Sequence, residues 1–302
     1  MLNDKLKNYL SLHLIVFIWG FTAVLGALIS INAIALVWYR ILLSLPFIFV
    51  FICIKKIPLV VPKKTFFGFI FGGIIIALHW ITFFGAIKVA NVSVTLAMMS
   101  TGTFFAAIME PIWYKRKMLW YELIFGLIVI VGLFIIFKVE ASYTEGIVLA
   151  LISAFLSAVF ALLNGKFVHL YKPSVITFYE LVSGVFFISI YLVFSGNFSK
   201  VFFYLQTMDW IYLLILSSIC TAYAFIISVK VMRYVSPYTV MLTINLEPVY
   251  GILLAYFILG DSESMSKGFY IGAIVILMTV IANGIIKNYK RRKGKNHLSS
   301  TV

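Results

Sequence analysis

Apolar residues fall in ten long runs joined by short polar stretches, and each run is about as long as a bilayer core is thick. Crossing ~30 Å of hydrocarbon takes roughly 20 apolar residues in a helix. The runs lie at 10–31, 34–54, 66–87, 92–113, 119–137, 146–167, 174–194, 210–231, 236–259 and 268–286. They do not alternate between apolar and polar, so their backbone groups must pair inside helices rather than in a closed barrel. The pattern predicts an all-α membrane protein of ten transmembrane helices.

Composition leaves little room for another reading. With 63% hydrophobic and 11% charged residues, the 302-residue chain has too few polar side chains to coat a soluble domain in water. The first run is too long for a cleaved signal peptide, whose apolar core spans about 7–15 residues, and is kept as a helix. Cys53 and Cys220 both fall in apolar runs, where free cysteines behave as small hydrophobes.

The net charge of +14 invites a nucleic-acid reading until its placement is considered. With the N-terminus in the cytosol, 19 of the 24 basic residues fall on inner segments, among them Lys55, Lys56, Lys115, Arg116, Lys117 and the run from Lys287 to Lys295. Only Lys88, Lys138, Lys200 and Lys267 fall outside, and Arg40 lies within a helix. This bias places both termini in the cytosol and assigns the basic tail to anionic headgroups, not to nucleic acid.

A faint internal repeat follows. The stretch at 35–40 aligns with 175–180, the one at 87–89 with 229–231, and the one at 126–130 with 272–276, in order and at offsets of 140, 142 and 146. Two five-helix units are therefore expected, at 1–140 and 141–290, followed by a basic tail at 291–302. Five crossings per unit make the second run opposite to the first. Such inverted repeats around a midplane site are a recurring construction of secondary transporters.

These motifs resemble the drug/metabolite transporter superfamily, and in particular its ten-helix EamA-type members. Trp19-Gly20-Phe21 is similar to that family's Trp-Gly opening, and Tyr39-Arg40 to its arginine in the second helix. The most specific block is Val235-Ser236-Pro237 with Leu246-Glu247-Pro248-Val249-Tyr250-Gly251 and Leu259-Gly260-Asp261. The resemblance implies two EamA-like domains in a bacterial cytoplasmic membrane, exporting drugs, amino acids or other small metabolites by alternating access. Gly102-Thr103 stands in the first unit where the second has Glu247-Pro248, so the units are not expected to share roles.

Ionisable groups at bilayer depth are costly and mark function by default. A rise of ~1.5 Å per residue puts Arg40, His79 and Glu247 near one depth around the midplane, with Glu110 and Glu180 in a tier nearer the cytosol. Arg40 and Glu247 are the expected pair, either a static bridge or one exchanged with a charged substrate or a proton. Pro248 removes a backbone hydrogen bond and should leave carbonyls near Thr243 and Ile244 under-satisfied, making it a candidate hinge. Pro111 repeats the pairing beside Glu110, which is expected to act as a cytosolic anchor or gate neutralised by Lys115 and Arg116; Glu180 is placed with it.

His79 is either a hydrogen-bonded core residue or a proton carrier. Trp19, Trp38, Tyr39 and Trp80 are candidate aromatic walls, whereas Trp113, Trp120 and Trp210 sit at helix ends as belt residues. Thr101, Thr103 and Asn245 are candidate lining residues. Ser153, Ser157, Ala161 and Gly165 form a small-residue seam for close packing or sliding.

The function expected is a secondary transporter with a small-molecule substrate, protons as the candidate coupling ion, and no cofactor or metal. The alternatives are an intramembrane enzyme and a passive channel. No P-loop is present to bind a nucleotide.

Overall fold

The computed structural model describes the backbone of residues 4–115, 120–200, 202–235 and 237–299. Arg116, Lys117 and Ser236 lie outside the described residues, as do the side chains of Trp120 and of the basic segment beyond 286. Among the described residues all regular structure is helical. Among the described residues nine helices are long and apolar enough to span a membrane, and a shorter apolar stretch covers Ile124–Lys138.

The helices are α1 (Asp4–Leu28), α2 (Ala33–Ile54), α3 (Lys63–Val89), α4 (Val92–Met99), α5 (Gly102–Trp113), α6 (Trp120–Val139) and α7 (Thr144–Phe167). They continue as α8 (Pro173–Phe194), α9 (Thr207–Ser217), α10 (Ala224–Val231), α11 (Pro237–Ile244), α12 (Glu247–Leu259) and α13 (Lys267–Ser299). Three of the expected continuous runs are interrupted. The fourth breaks at Ser100–Thr101, the ninth breaks at Asn245–Leu246, and the eighth widens into a π-helical segment at Ser218–Tyr223. The helix α13 runs on to Ser299, into the basic segment.

The break in the ninth run has a local cause. Pro248 has no N–H and sits in the first turn of α12, where none is needed. The chain tightens just before it, with Asn245 N bonded to Leu242 O at 3.3 Å and Leu246 N to Thr243 O at 3.0 Å. The Thr243 carbonyl is therefore satisfied, contrary to the sequence expectation, because a tight turn replaces the helical bond.

Packing is paired across the molecule. The helix α3 packs on α7 and α8, while the α9–α10 rod packs on α1 and α2. Likewise α12 packs on α1, whereas α4 and α5 pack on α7; α2 meets α8, and α6 meets α13.

At one end of the bundle carboxylates tie helix starts and the α1–α2 loop to neighbouring elements. Glu263 accepts from Val92 N at 3.0 Å and Ser93 N at 2.8 Å, capping α4. Asp209 accepts from Ser30 N and Oγ at 2.7 and 2.6 Å, and Glu140 accepts from Ser266 Oγ at 2.7 Å. Lys88 Nζ donates to Ile29 O beside them. At the other end Arg233 holds the carbonyls of Val168 and Tyr171 at 2.8 Å each.

Candidate functional site

The two short motifs singled out in the first and ninth runs meet in space, and glycine is the reason. A Cβ on Gly20 would stand 3.1 Å from Gly251 N, and one on Gly251 would stand 3.2 Å from Gly20 O. Only hydrogen at both positions lets α1 and α12 cross this closely. The crossing sets Trp19 beside Glu247 at the wall of an internal cavity of about 700 Å³, open solvent at its mouth included.

Arg40, His79, Trp80 and Glu247 line the same cavity. All four are buried. Arg40 reaches it because the π-helical segment turns Thr221 toward α2. The Thr221 hydroxyl donates to Leu216 O at 2.7 Å and accepts from Arg40 Nε at 2.7 Å. π-Segments recur at functional sites for this kind of reorientation. The guanidinium carbon lies 4.0 Å from the Trp80 ring centroid, a desolvated cation–π contact of a kind worth about 2 kcal/mol. Nη1 has no hydrogen-bond partner.

The direct Arg40–Glu247 bridge expected from sequence is not formed. Arg40 is held by Thr221 and Trp80, leaving the two groups on the cavity wall with opposite charges and no bond between them. No side-chain hydrogen bond engages Glu247 among the described residues, so its carboxylate is open to a ligand.

His79 is fixed. Its Nδ1 donates to Ser153 O at 2.9 Å, and Ser153 Oγ donates to His79 O at 2.9 Å. A carbonyl can only accept, so Nδ1 carries hydrogen, and Ser153 Oγ lies 2.8 Å from it as well. The seam on α7 is thus partly a polar lining, since Ser157 and Ala161 border the cavity while Ser153 secures the histidine.

Other sequence candidates lie elsewhere. Tyr39 stacks on Phe202 at 5.6 Å, and Trp38 donates to Ser189 Oγ at 2.8 Å, both in an aromatic cluster near the carboxylate-capped end. Trp210 joins it, 5.8 Å from Tyr39. Thr101 donates to Met98 O at the break in the fourth run. Thr103 accepts from Asn245 Nδ2 at 2.6 Å, away from the main cavity. Glu110 and Pro111 are buried near the end of α5, next to Trp113, over which Lys166 sits at 5.0 Å. Glu180 is fully buried outside the cavity. Lining residues not anticipated from sequence include Thr22, Phe160, Phe225, Ser228 and Met241. Nothing distinguishes such residues in a greasy helix before its rotation is known.

This is a polytopic helical membrane protein with an internal cavity whose polar groups converge from both halves of the chain. The EamA-like transporter family model matches residues 6–138 and 144–284, and the chain belongs to that family of membrane transporters. A solved crystal structure described only as that of a protein shares the fold, with a TM-score of 0.67 at 14% identity over 92% of this chain and 97% of the other. No curated protein matches.

Proposed function

We propose that the chain is a secondary transporter that carries a small zwitterionic metabolite across the membrane by alternating access, with the Arg40–Glu247 cavity as its binding site. The observation that carries this reading is the pair of opposite charges left unbridged on one cavity wall. A ligand carboxylate fits the unpartnered Arg40 N–H, and a ligand ammonium fits Glu247. Trp19, Trp80, Phe160 and Phe225 offer an apolar wall for the rest of the molecule. Affinity would come from replacing water on two buried charges at once, and specificity from the span between them.

The two units, 1–140 and 141–290, are read as inverted repeats. The paired packing of α3 on α7 and α8 with that of the α9–α10 rod on α1 and α2 supports exchange between two states of similar energy. With the N-terminus inside, the capped end faces outward. The cavity lining then extends inward to Met232 and Val240, so this conformation faces the cytosol and loads substrate for export across a bacterial inner membrane.

The deciding experiment is counterflow of L-leucine and L-phenylalanine in proteoliposomes. Saturable counterflow is expected of a carrier; flux that grows without saturation would replace it with a channel, and no flux of any zwitterion would remove the proposed substrate class.

A further inference from the structure

Outside the cavity, a carboxyl group is buried where α3, α7 and α8 cross. Asn164 Nδ2 donates to Glu180 Oε1 at 3.0 Å, and Oε2 has no partner. Asn164 Oδ1 and Thr177 Oγ, one turn before Glu180 on α8, are also buried and unpartnered. Gly72 and Gly73 bring α3 so close that a Cβ on Gly72 would stand 2.5 Å from Oε1, and one on Gly73 would overlap Ser183 Oγ and Glu180 O. Backbone fills the space on that side that a cation and its ligands would need.

Among the described residues no opposite charge compensates the carboxyl. The charged groups of the elements packed on α8 are engaged elsewhere or exposed: Arg40 on Trp80 and Thr221, Lys88 on Ile29, Lys166 over Trp113, with Lys63, Lys64, Glu145 and Lys230 at the surface. His79 is bonded to Ser153. From α3 the carboxyl meets Gly72 and Gly73, from α7 Asn164, and along its own helix Thr177 and Ser183 are neutral. A buried carboxylate with a single neutral donor carries a large uncompensated desolvation cost, whereas a proton on Oε2 leaves only one unpaired hydroxyl.

We propose that Glu180 is a proton-binding site behind the cavity wall, loaded as the neutral acid in this conformation, and that its proton is the coupling ion for the transport proposed above, on which this coupling role rests. The O–H bond forms at Oε2 with a proton given up by hydronium, and breaks to water when α3 and α8 part. Asn164 ties the site to the cavity, because its Nδ2 also donates to Phe160 O at 3.3 Å. Phe160 lines the cavity and stacks on Phe225 at 5.3 Å, and Phe225 lies 5.4 Å from Trp80, under Arg40.

Infrared difference spectroscopy between acid and alkaline pH tests this on the full chain in lipid nanodiscs, with tryptophan emission recorded on the same samples. A protonated-carboxyl C=O band is expected in the wild type, lost in Glu180→Gln, kept in Glu247→Gln and moved in frequency in Asn164→Ala. The emission change that accompanies its titration is expected to vanish in Glu180→Gln. A band that survives whole in Glu180→Gln, or stays unmoved in Asn164→Ala, overturns the assignment. The Asn164→Ala arm decides the matter if Glu180→Gln does not fold. Counterflow of L-leucine separates the two readings. Flux whose pH dependence survives Glu180→Gln overturns the coupling role and leaves transport standing. Absent flux with the expected band removes the zwitterionic substrate and supports the proton site alone.

Discussion

Asn245 Nδ2 donates to Thr103 Oγ at 2.6 Å, and this bond joins two interrupted helices beside their breaks. Asn245 stands in the turn between α11 and α12, and Thr103 is the second residue of α5. At each break a tight turn replaces the helical bond, Thr101 N to Met98 O in one and Leu246 N to Thr243 O in the other, and the side-chain bond holds the two breaks against each other.

Breaking it from both sides should therefore cost less than the two single losses added together. Asn245→Ala and Thr103→Val are each expected to lower stability by about 1–3 kcal/mol, because each leaves a buried partner unpaired. Thermal unfolding of the double variant should show a loss well below the sum, as expected for residues in direct contact. Strictly additive losses would show that the bond does not couple the breaks.

Glu247→Gln keeps the shape of the side chain and removes its charge. Counterflow of a zwitterionic amino acid is expected to fall sharply in this variant while the unfolding midpoint is retained. Undiminished flux would remove Glu247 from the binding site.

Arg40→Lys tests whether the guanidinium's planar fork matters. A lysine cannot hold Thr221, lie on Trp80 and offer a further N–H together, so substrate affinity is expected to drop by roughly tenfold or more, from the loss of a charge-assisted contact. Arg40→Ala should be worse, and Lys200→Ala, on an exposed loop, should match the wild type. Equal effects of Arg40→Ala and Lys200→Ala would contradict a buried role for Arg40.

Glu263→Ala takes the carboxylate away from Val92 N and Ser93 N at the start of α4, while the Asn91 cap on Val94 N remains. The loss is expected to be about 1–3 kcal/mol, because two buried N–H groups lose their acceptor, and to fall on the end proposed to face outward. In a Cys53→Ala background, labelling of buried Cys220 by an impermeant thiol reagent added outside should rise. Unchanged labelling would mean that the carboxylate caps do not hold that end shut.

Gly73→Ala puts a methyl group into Ser183 Oγ and the Glu180 carbonyl, whereas Gly85→Ala meets only Leu149 at 3.5 Å. The first is expected to destabilise by about 1–3 kcal/mol through overpacking, and the second by much less. Comparable melting temperatures would argue that α3 and α8 are not tightly crossed.

The resemblance in short motifs was legible because glycine, proline and buried charge carry meaning that one residue can hold. Gly20 and Gly251 stand out against leucine and phenylalanine, and their crossing explains why both motifs exist. The breaks were partly legible: Pro248 announced one, while the break at Ser100–Thr101 has no proline and the π-segment at Ser218–Tyr223 has no sequence mark. The Arg40–Glu247 bridge was inferred from depth alone, and depth cannot see Thr221 and Trp80 taking the arginine first.

By itself the sequence determined roughly where the apolar runs of bilayer length lie and which few ionisable groups lie among them, because hydrocarbon thickness and the cost of buried charge act on local stretches of chain. Only the tertiary structure decided that Trp19, Arg40, His79, Trp80 and Glu247 face one cavity while Tyr39, Thr103 and Glu180 do not. The reason is that helices apolar on every side carry no pattern that fixes their rotation. That is set by where glycines allow close crossing and where a π-turn or broken helix redirects the chain.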